Sequence, residues 1–475
     1  MKIKVFSALL TLLLLLQMCS CAYDKSASED KTGGRENGVQ FRKDGGEPSS
    51  HDIADYSGRD FVVASSDADF VKPDSDVGII NEALYKRNKN LSEKYNVNIS
   101  VIKAGTAEIN TNLQAAYNAG TEYCNALYVP MKNISGFASQ ELLLNIYSIP
   151  FVKLEEEYMY PSRIKETSVR DTLYGLYSAA ALDDRFMWCV YYNKDVYSSL
   201  GFENPYELVK NGDWTWEKFL SYSDSARADL DGNGRILRKT DRFGHAAAGN
   251  TLDFVNAVFA SIGGKFFSFD ENGFPYMDYY DFADSNMDLI SRICSKSRSL
   301  YPAENPGNEA AEAFLDGRSL FFCDSLLYCS YFANMQDEYG ILPMPKLSEE
   351  DDYKTYVDED VCGFAFPNTN SDTGFLGNII NGLYSSSYDT LKDCVKKSWT
   401  RNYLRDNDSA VMFDYITKNP VYDLAYIHGT GMPEFANASY KILQSAVQGK
   451  VRLKSAYNQN SGPFYNFAKE EFING

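Results

Sequence analysis

The hydrophobic and polar positions divide the chain into three stretches. Residues 5–16 are apolar except for Ser7 and Thr11, and they follow Lys2 and Lys4. A segment that short does not span a bilayer as a helix, and a basic start before a short apolar core is the pattern of a secretory signal peptide, expected over 1–20. From Ala22 to about Gly58 aliphatic residues nearly vanish, and Gly, Ser and mixed charges replace them. Such a stretch buries too little apolar surface to offset its ordering entropy, so 21–57 is expected to be a flexible tether. Regular periodicity begins only after it.

"DFVVASS" (60–66) is a β-branched run that reads as a strand. Ile80, Leu84, Leu91 and Tyr95 then share one helical face, and "VNISV" (97–101) alternates as a second strand. Ile109, Leu113, Ala116 and Tyr117 form another helical stripe ended by Gly120, and "NALYV" follows as a third strand. Alternating strand and helix predicts a βαβαβ lobe with a mostly parallel sheet. The pattern resumes with the strand "MWCVYYN" (187–193), a helix from Trp216 to about Ala228 capped by Thr215, and a strand near "FGHAAAG". A helix from Leu252 to Ile262 ends at Gly263 and Gly264. Farther on, "AAEAFLDG" reads as a short helix, "RSLFFCD" as a strand, "YGILPMPK" as a Pro-punctuated connection, and the C-terminal stretch as helical. A body of this length exceeds one ordinary core, so two α/β lobes are expected.

A net charge of −19 with no basic tract argues against nucleic acid or anionic lipid as a partner. Ser20 followed by Cys21 resembles a bacterial lipobox, which makes Cys21 the expected lipidation site; the competing reading is an ordinary secreted protein cleaved near Ala22. The seven later cysteines sit among apolar neighbours, as in "MWCVYY" and "SLFFCDSLLYC", and read as small buried hydrophobes more than as a disulfide framework. His245 and His428 have no partners at metal spacing, and no HExxH, GxSxG or P-loop occurs.

The stretch "VYYNKDVYSSLGFENPYELVKNGDWTWEKFLSYS" resembles the extracellular solute-binding proteins of bacterial ABC transporters, in the family of sugar-binding lipoproteins related to maltose-binding protein. "YNAGTEYCNALYV", "LLLNIYSIP", "FGH", "IGGKFF", "FLDGRSLFFCDS" and "YGILPMPK" follow that family's order. The resemblance implies a type II two-lobed periplasmic-binding-protein-like fold, with strands crossing between lobes that close by hinge motion. Lobe 1 is expected over 58–180 and 300–345, and lobe 2 over 181–299 and 346–475. The implied function is capture of a carbohydrate, expected to be an oligosaccharide, by a monomer anchored on the extracellular face of the cell membrane, with the ABC permease as partner and no cofactor required. A secreted glycoside hydrolase, which needs two carboxylates flanking a sugar, and a glycan-binding adhesin remain the alternatives.

The resemblance places ligand contacts on loops after strands. Lys132 and Asn133 follow "NALYV", and Tyr123 precedes it. Asp184 and Trp188 lie near the first crossing, Asn250, Thr251 and Asp253 at the start of a helix, and Asp324 and Tyr328 after "RSLFF". Each has a plainer reading: Lys132 as a solvated charge, Trp188 as core, Asn250 and Asp253 as helix caps. Asp324 is the best placed, because a carboxylate directly after an apolar strand needs a partner. Trp216, by contrast, reads as core. In "DLDGNGRILRKTD" (229–241), Asp229, Asp231 and Asn233 imitate the first half of an EF-hand calcium loop, but the closing Glu is missing from its register. Asp241 closes a calcium site only if the loop folds back, and otherwise Gly232 and Gly234 make this a structural turn.

Overall fold

The computed structural model describes residues 55–247, 251–304 and 308–473, apart from the side chains of Thr251 and Leu252. The expected signal peptide, Cys21, nearly all of the tether and Asn250 lie outside the described residues. All elements below belong to the unit Asp52–Gly475. Ordered packing begins slightly before the expected boundary, since the Tyr56 amide donates to Tyr95 O at 2.9 Å and the Tyr56 ring stands edge-on to Phe375 at 4.7 Å.

The first lobe opens with strand β1 (Arg59–Ser65), helix α1 (Ile79–Tyr95), strand β2 (Val97–Lys103), helix α2 (Thr106–Ala119), strand β3 (Ala126–Pro130) and helix α3 (Met131–Ala138). β1 pairs in parallel with both β2 and β3. The helical stripe of α1 is buried as its spacing requires, with Leu84, Leu91 and Tyr95 in the core.

The second lobe contains strand β4 (Trp188–Asn193), helix α4 (Trp216–Ala226), strand β5 (Phe243–Ala247), helix α5 (Thr251–Ser261), strand β6 (Ser319–Ser325) and strand β7 (Tyr339–Pro343). Thr215 caps α4 by accepting from the Lys218 amide at 3.4 Å. Trp214 and Trp216 are fully buried, their indoles donating to Pro343 O at 2.9 Å and Ser261 Oγ at 3.0 Å, as the core reading requires. The sheet order is β5-β6-β4-β7. Only β5 and β6 run parallel here, while β4 is antiparallel to both neighbours, so this sheet is mixed where strand–helix alternation predicted mostly parallel pairing.

The chain then returns to the first lobe through strand β8 (Cys362–Ala365), which pairs antiparallel with β3, and helix α6 (Thr373–Leu391), which packs on α1. The late segments are therefore exchanged relative to the expected lobes. Residues 319–343 build the second sheet and residues 362–391 the first. The cause is that β6 is buried at every position, so it carries no alternation that would choose its sheet. The expected connection "YGILPMPK" also contains β7, whose Pro343 is tolerated because β7 is an edge strand.

Two further helices, α7 (Cys394–Asn402) and α8 (Asn407–Lys418), lead into a helical C-terminus. α7 packs on α1 of the first lobe, and its Trp399 indole donates to Leu326 O of the second at 2.8 Å. The seven cysteines from Cys124 to Cys394 are buried thiols. Among the described residues, no helix is long and apolar enough to cross a membrane.

Candidate functional site

The two crossing segments lie side by side. Met187 and Val357 form an antiparallel bridge, and the Asp358 amide donates to Phe186 O at 3.0 Å. α3 is tied to the second crossing, with the Met131 amide donating to Val361 O at 2.7 Å and the Lys132 amide to Glu359 O at 3.2 Å. Lys132 thus stands at the carboxyl end of β3, over the crossing strands, with Asn133 beside it. Its ammonium pairs with Asp360 and lies 3.8 Å from Glu359.

Trp188 and Asp324 meet at this junction because β4 and β6 are antiparallel, placing Trp188 opposite Ser325 and Cys189 opposite Asp324. The Trp188 indole donates to Asp358 at 3.4 Å, and its ring stands edge-on to Tyr356 at 5.8 Å. Tyr356 in turn meets Tyr426 at 4.8 Å, and Tyr426 stacks on Tyr440 at 6.0 Å. Trp188 is only 1% exposed, so it packs the junction as a core residue rather than offering an open face. Lys132, Asn133, Asp253, Tyr328, Asp358, Glu359 and Tyr440 are half-buried around it.

Carboxylates dominate the electrostatics. Asp324 is 6% exposed, accepts from its neighbour Ser325, and pairs with no lysine or arginine among the described residues. Burial, reinforced by Asp358 and Asp253, raises its pKa well above the ordinary carboxyl range. Burial also pushes Glu359 up to about 7 against the opposing pull of Lys132, and it raises Asp358. Asp253, at the start of α5, adds to the negative field at both Glu359 and Tyr356. A buried carboxylate served only by local donors is an acceptor with spare capacity, suited to hydroxyl donors from a ligand.

Lys132, Trp188, Asp253, Asp324 and Tyr328 therefore gather around the crossing strands, and Asn133 follows Lys132 on α3, whereas two expected contacts do not join them. Tyr123 lies at the opposite end of β3, where Asn112 of α2 donates to its hydroxyl at 3.4 Å. Asp184 faces a separate cavity of about 660 Å³ beside the network in which Arg163 and the Tyr422 hydroxyl both bond Asp183. Burial and the adjacent Asp183 raise the Asp184 pKa. Sequence reasoning missed Tyr356, Asp358, Glu359, Tyr426 and Tyr440. The run "VDED" has the look of a solvated charge cluster, and only its pairing with the first crossing brings it to the site.

The Asp-rich loop does fold back. Asp229, Asp231 and Asp241 present carboxylate oxygens within 4.8 Å of one another, so Asp241 supplies the closure missing from the linear register. Asp229 accepts from Gly232 and Gly234 at 2.8 and 2.6 Å, and Asp241 accepts from Leu230 and Leu237 at 2.7 and 2.6 Å. Asn233 accepts from the Arg235 amide at 2.9 Å. Gly232 and Gly234 have φ of 71° and 79°, the left-handed angles that the turn reading assigns to them. These oxygens suit a hard cation such as calcium, although hydrogen bonds already organise the loop without one.

No protein-family model and no curated protein matches the chain. Solved structures do match across the body. An ABC substrate-binding protein from Listeria monocytogenes in complex with cycloalternan shares 12% identity at a TM-score of 0.52, covering 86% of this chain and 99% of its own. UspC from M. tuberculosis shares 13% identity at 0.56, covering 86% and 100%. The maltose-binding periplasmic protein MalE from Listeria monocytogenes in complex with maltose shares 15% identity at 0.56, covering 87% and 99%. These likenesses establish the two-lobed α/β fold that the sequence resemblance implied.

Proposed function

We propose that the chain is the extracellular substrate-binding lipoprotein of an ABC importer, anchored through Cys21, that captures a carbohydrate between its lobes and delivers it to the membrane permease. The observation that carries this reading is the carboxylate-rich, aromatic-backed site at the crossing strands of a fold shared with proteins solved with cycloalternan and with maltose. Hydroxyl groups of a sugar would donate to Asp324, Asp358 and Glu359, while Tyr328 and Tyr440 offer partly open faces to its C–H surface. The bound sugar favours the closed lobes, and the closed form is the one the permease would recognise.

The test is a titration with mono- and oligosaccharides, followed by Trp fluorescence and melting temperature. Trp188 sits on the hinge, so a true ligand changes its emission, with a dissociation constant near 1 μM as an order-of-magnitude expectation. A broad panel that moves neither signal rejects the carbohydrate reading, and release of reducing ends would favour a hydrolase instead.

The Asp229–Asp241 loop is read as a structural element of the second lobe that takes calcium. Calcium should raise the melting temperature of the chelator-treated protein. Asp231→Ala should abolish that rise and leave saccharide affinity unchanged, whereas a loss of affinity would show that the loop belongs to the ligand site.

A further inference from the structure

The cavity beside the Arg163–Asp183–Tyr422 network is lined by nineteen residues, six of them Lys or Arg, in a chain whose net charge is −19. It shares no residue with the cluster around Lys132, Trp188 and Asp324. Three of its cations, Lys265, Lys354 and Lys418, come from segments that the fold brings next to one another. Lys265 directly follows Gly263 and Gly264, and the Lys354 ammonium lies so close over Gly263 that a Cβ built there would be 3.0 Å from it. Thr355 and Tyr356 pair in parallel with Pro420 and Val421, and the Thr355 amide donates to Asn419 O at 3.0 Å, which sets Lys354 level with Asn419, the residue after Lys418.

None of Lys265, Lys354 and Lys418 forms an ion pair among the described residues, whereas other cations of the cavity are committed: Arg163 to Asp183 and Lys396 to Asp414. Five acids line the cavity: Asp414 is taken by Lys396, and none of Glu166, Asp184, Asp352 and Asp393 lies within ion-pair distance of Lys265, Lys354 or Lys418 among the described residues. Unpaired ammonium groups gathered in one concave site are stabilised by an anion that bridges them. Arg163 and Tyr160 add a floor in which the guanidinium lies 4.4 Å over the Tyr160 ring and 5.5 Å from that of Tyr422.

We propose that this cavity is a second ligand site, for a small phosphate- or carboxylate-bearing solute held by Lys265, Lys354 and Lys418. Its walls come from both lobes, with Arg163 in the first, Lys265 and Lys418 in the second, and Asp184 on the crossing between them. An occupant therefore touches both lobes. The inference stands apart from the carbohydrate reading and survives if that reading fails.

The test is calorimetric titration with inorganic phosphate and, separately, citrate, with ionic strength held constant by sodium chloride. The wild-type protein is expected to bind at least one of them saturably, and Lys354→Gln/Lys418→Gln is expected to weaken that binding at least tenfold while melting within about 2 °C of wild type without the anion. Should the double variant fail to fold, Lys265→Gln, at an exposed position, is expected to weaken binding at least threefold. Titrations without saturable heat from either anion overturn the proposal, and so does equal affinity in wild type and folded variant. Phosphate binding without citrate binding assigns the site to phosphate-bearing solutes, and the reverse to carboxylates.

Discussion

Asp324 illustrates how one side chain serves binding at the expense of stability. It is almost fully buried, it is served by Ser325 alone among the described residues, and its raised pKa means that the native state resists ionising it. Asp324→Asn keeps the shape and removes the charge. At pH 8 the variant should be more stable than wild type by about 1 kcal/mol, and at pH 3, below the unfolded Asp pKa, the difference should disappear. Its saccharide affinity should fall at least tenfold, because an amide accepts fewer hydroxyl donors than a carboxylate does. Denaturant melts at the two pH values and one titration check both parts, and a variant with unchanged affinity would remove Asp324 from the site. The burial of Asp324 was legible in the sequence, because an acid at the end of an apolar run is carried inward with the strand. That of Glu359 was not, because nothing in "VDED" distinguishes a buried acid from a solvated one. Tyr123 shows the opposite error, in which proximity to a strand in sequence said nothing about which end of that strand faces the crossing.

At the scale of elements, helix starts were legible where a capping residue met an apolar stripe, as at Thr215. Lobe membership was not, because β6 and β8 are buried throughout and the deciding hydrogen bonds join residues far apart in sequence. The start of α8 shows such a long-range constraint. Asp406 caps the helix by accepting from the Ser409 amide, and it also takes the Tyr206 hydroxyl at 2.9 Å and the Lys194 ammonium. One carboxylate thus fastens α8, which packs on β7, to the segment that follows β4. Its pKa is depressed, with the bonds from Lys194 and Ser409 outweighing burial, so this stabilisation is present above the ordinary Asp range and lost as pH falls through the depressed value. Asp406→Ala should cost about 2 kcal/mol, more than a simple cap, because Lys194 and Tyr206 lose their shared partner as well. Urea unfolding at pH 7 measures this, and a loss below 0.5 kcal/mol would mean that the carboxylate merely decorates the helix end.

The whole molecule balances two sets of buried titrating groups with opposite signs. His245 and His428 are both held near pKa 4 by burial, and neither ring nitrogen of His428 has a hydrogen-bond partner among the described residues. As pH falls from about 6.5 toward 4, the unfolded chain takes up these protons first, so stability drops. Glu359 and Asp423 are pushed up to about 7 and about 6, mainly by burial. Their contribution is full at low pH and is lost as pH rises through those values. Two variants should separate the two sets. His428→Phe should gain on wild type progressively as pH is lowered from 7 to 5, whereas Glu359→Gln should gain progressively as pH is raised from about 4.5 to 7 and level off above it. Melting curves that stay parallel to wild type for both would deny the burial that sets these shifts. Glu359 also connects this balance to capture. If a saccharide hydroxyl donates to its ionised form, binding lowers its pKa and releases a proton, so affinity should rise with pH through 7. Calorimetry at pH 7 in two buffers of different ionisation enthalpy reads that release directly. Heats independent of buffer would place the ligand away from Glu359 and toward Asp324 and Tyr328.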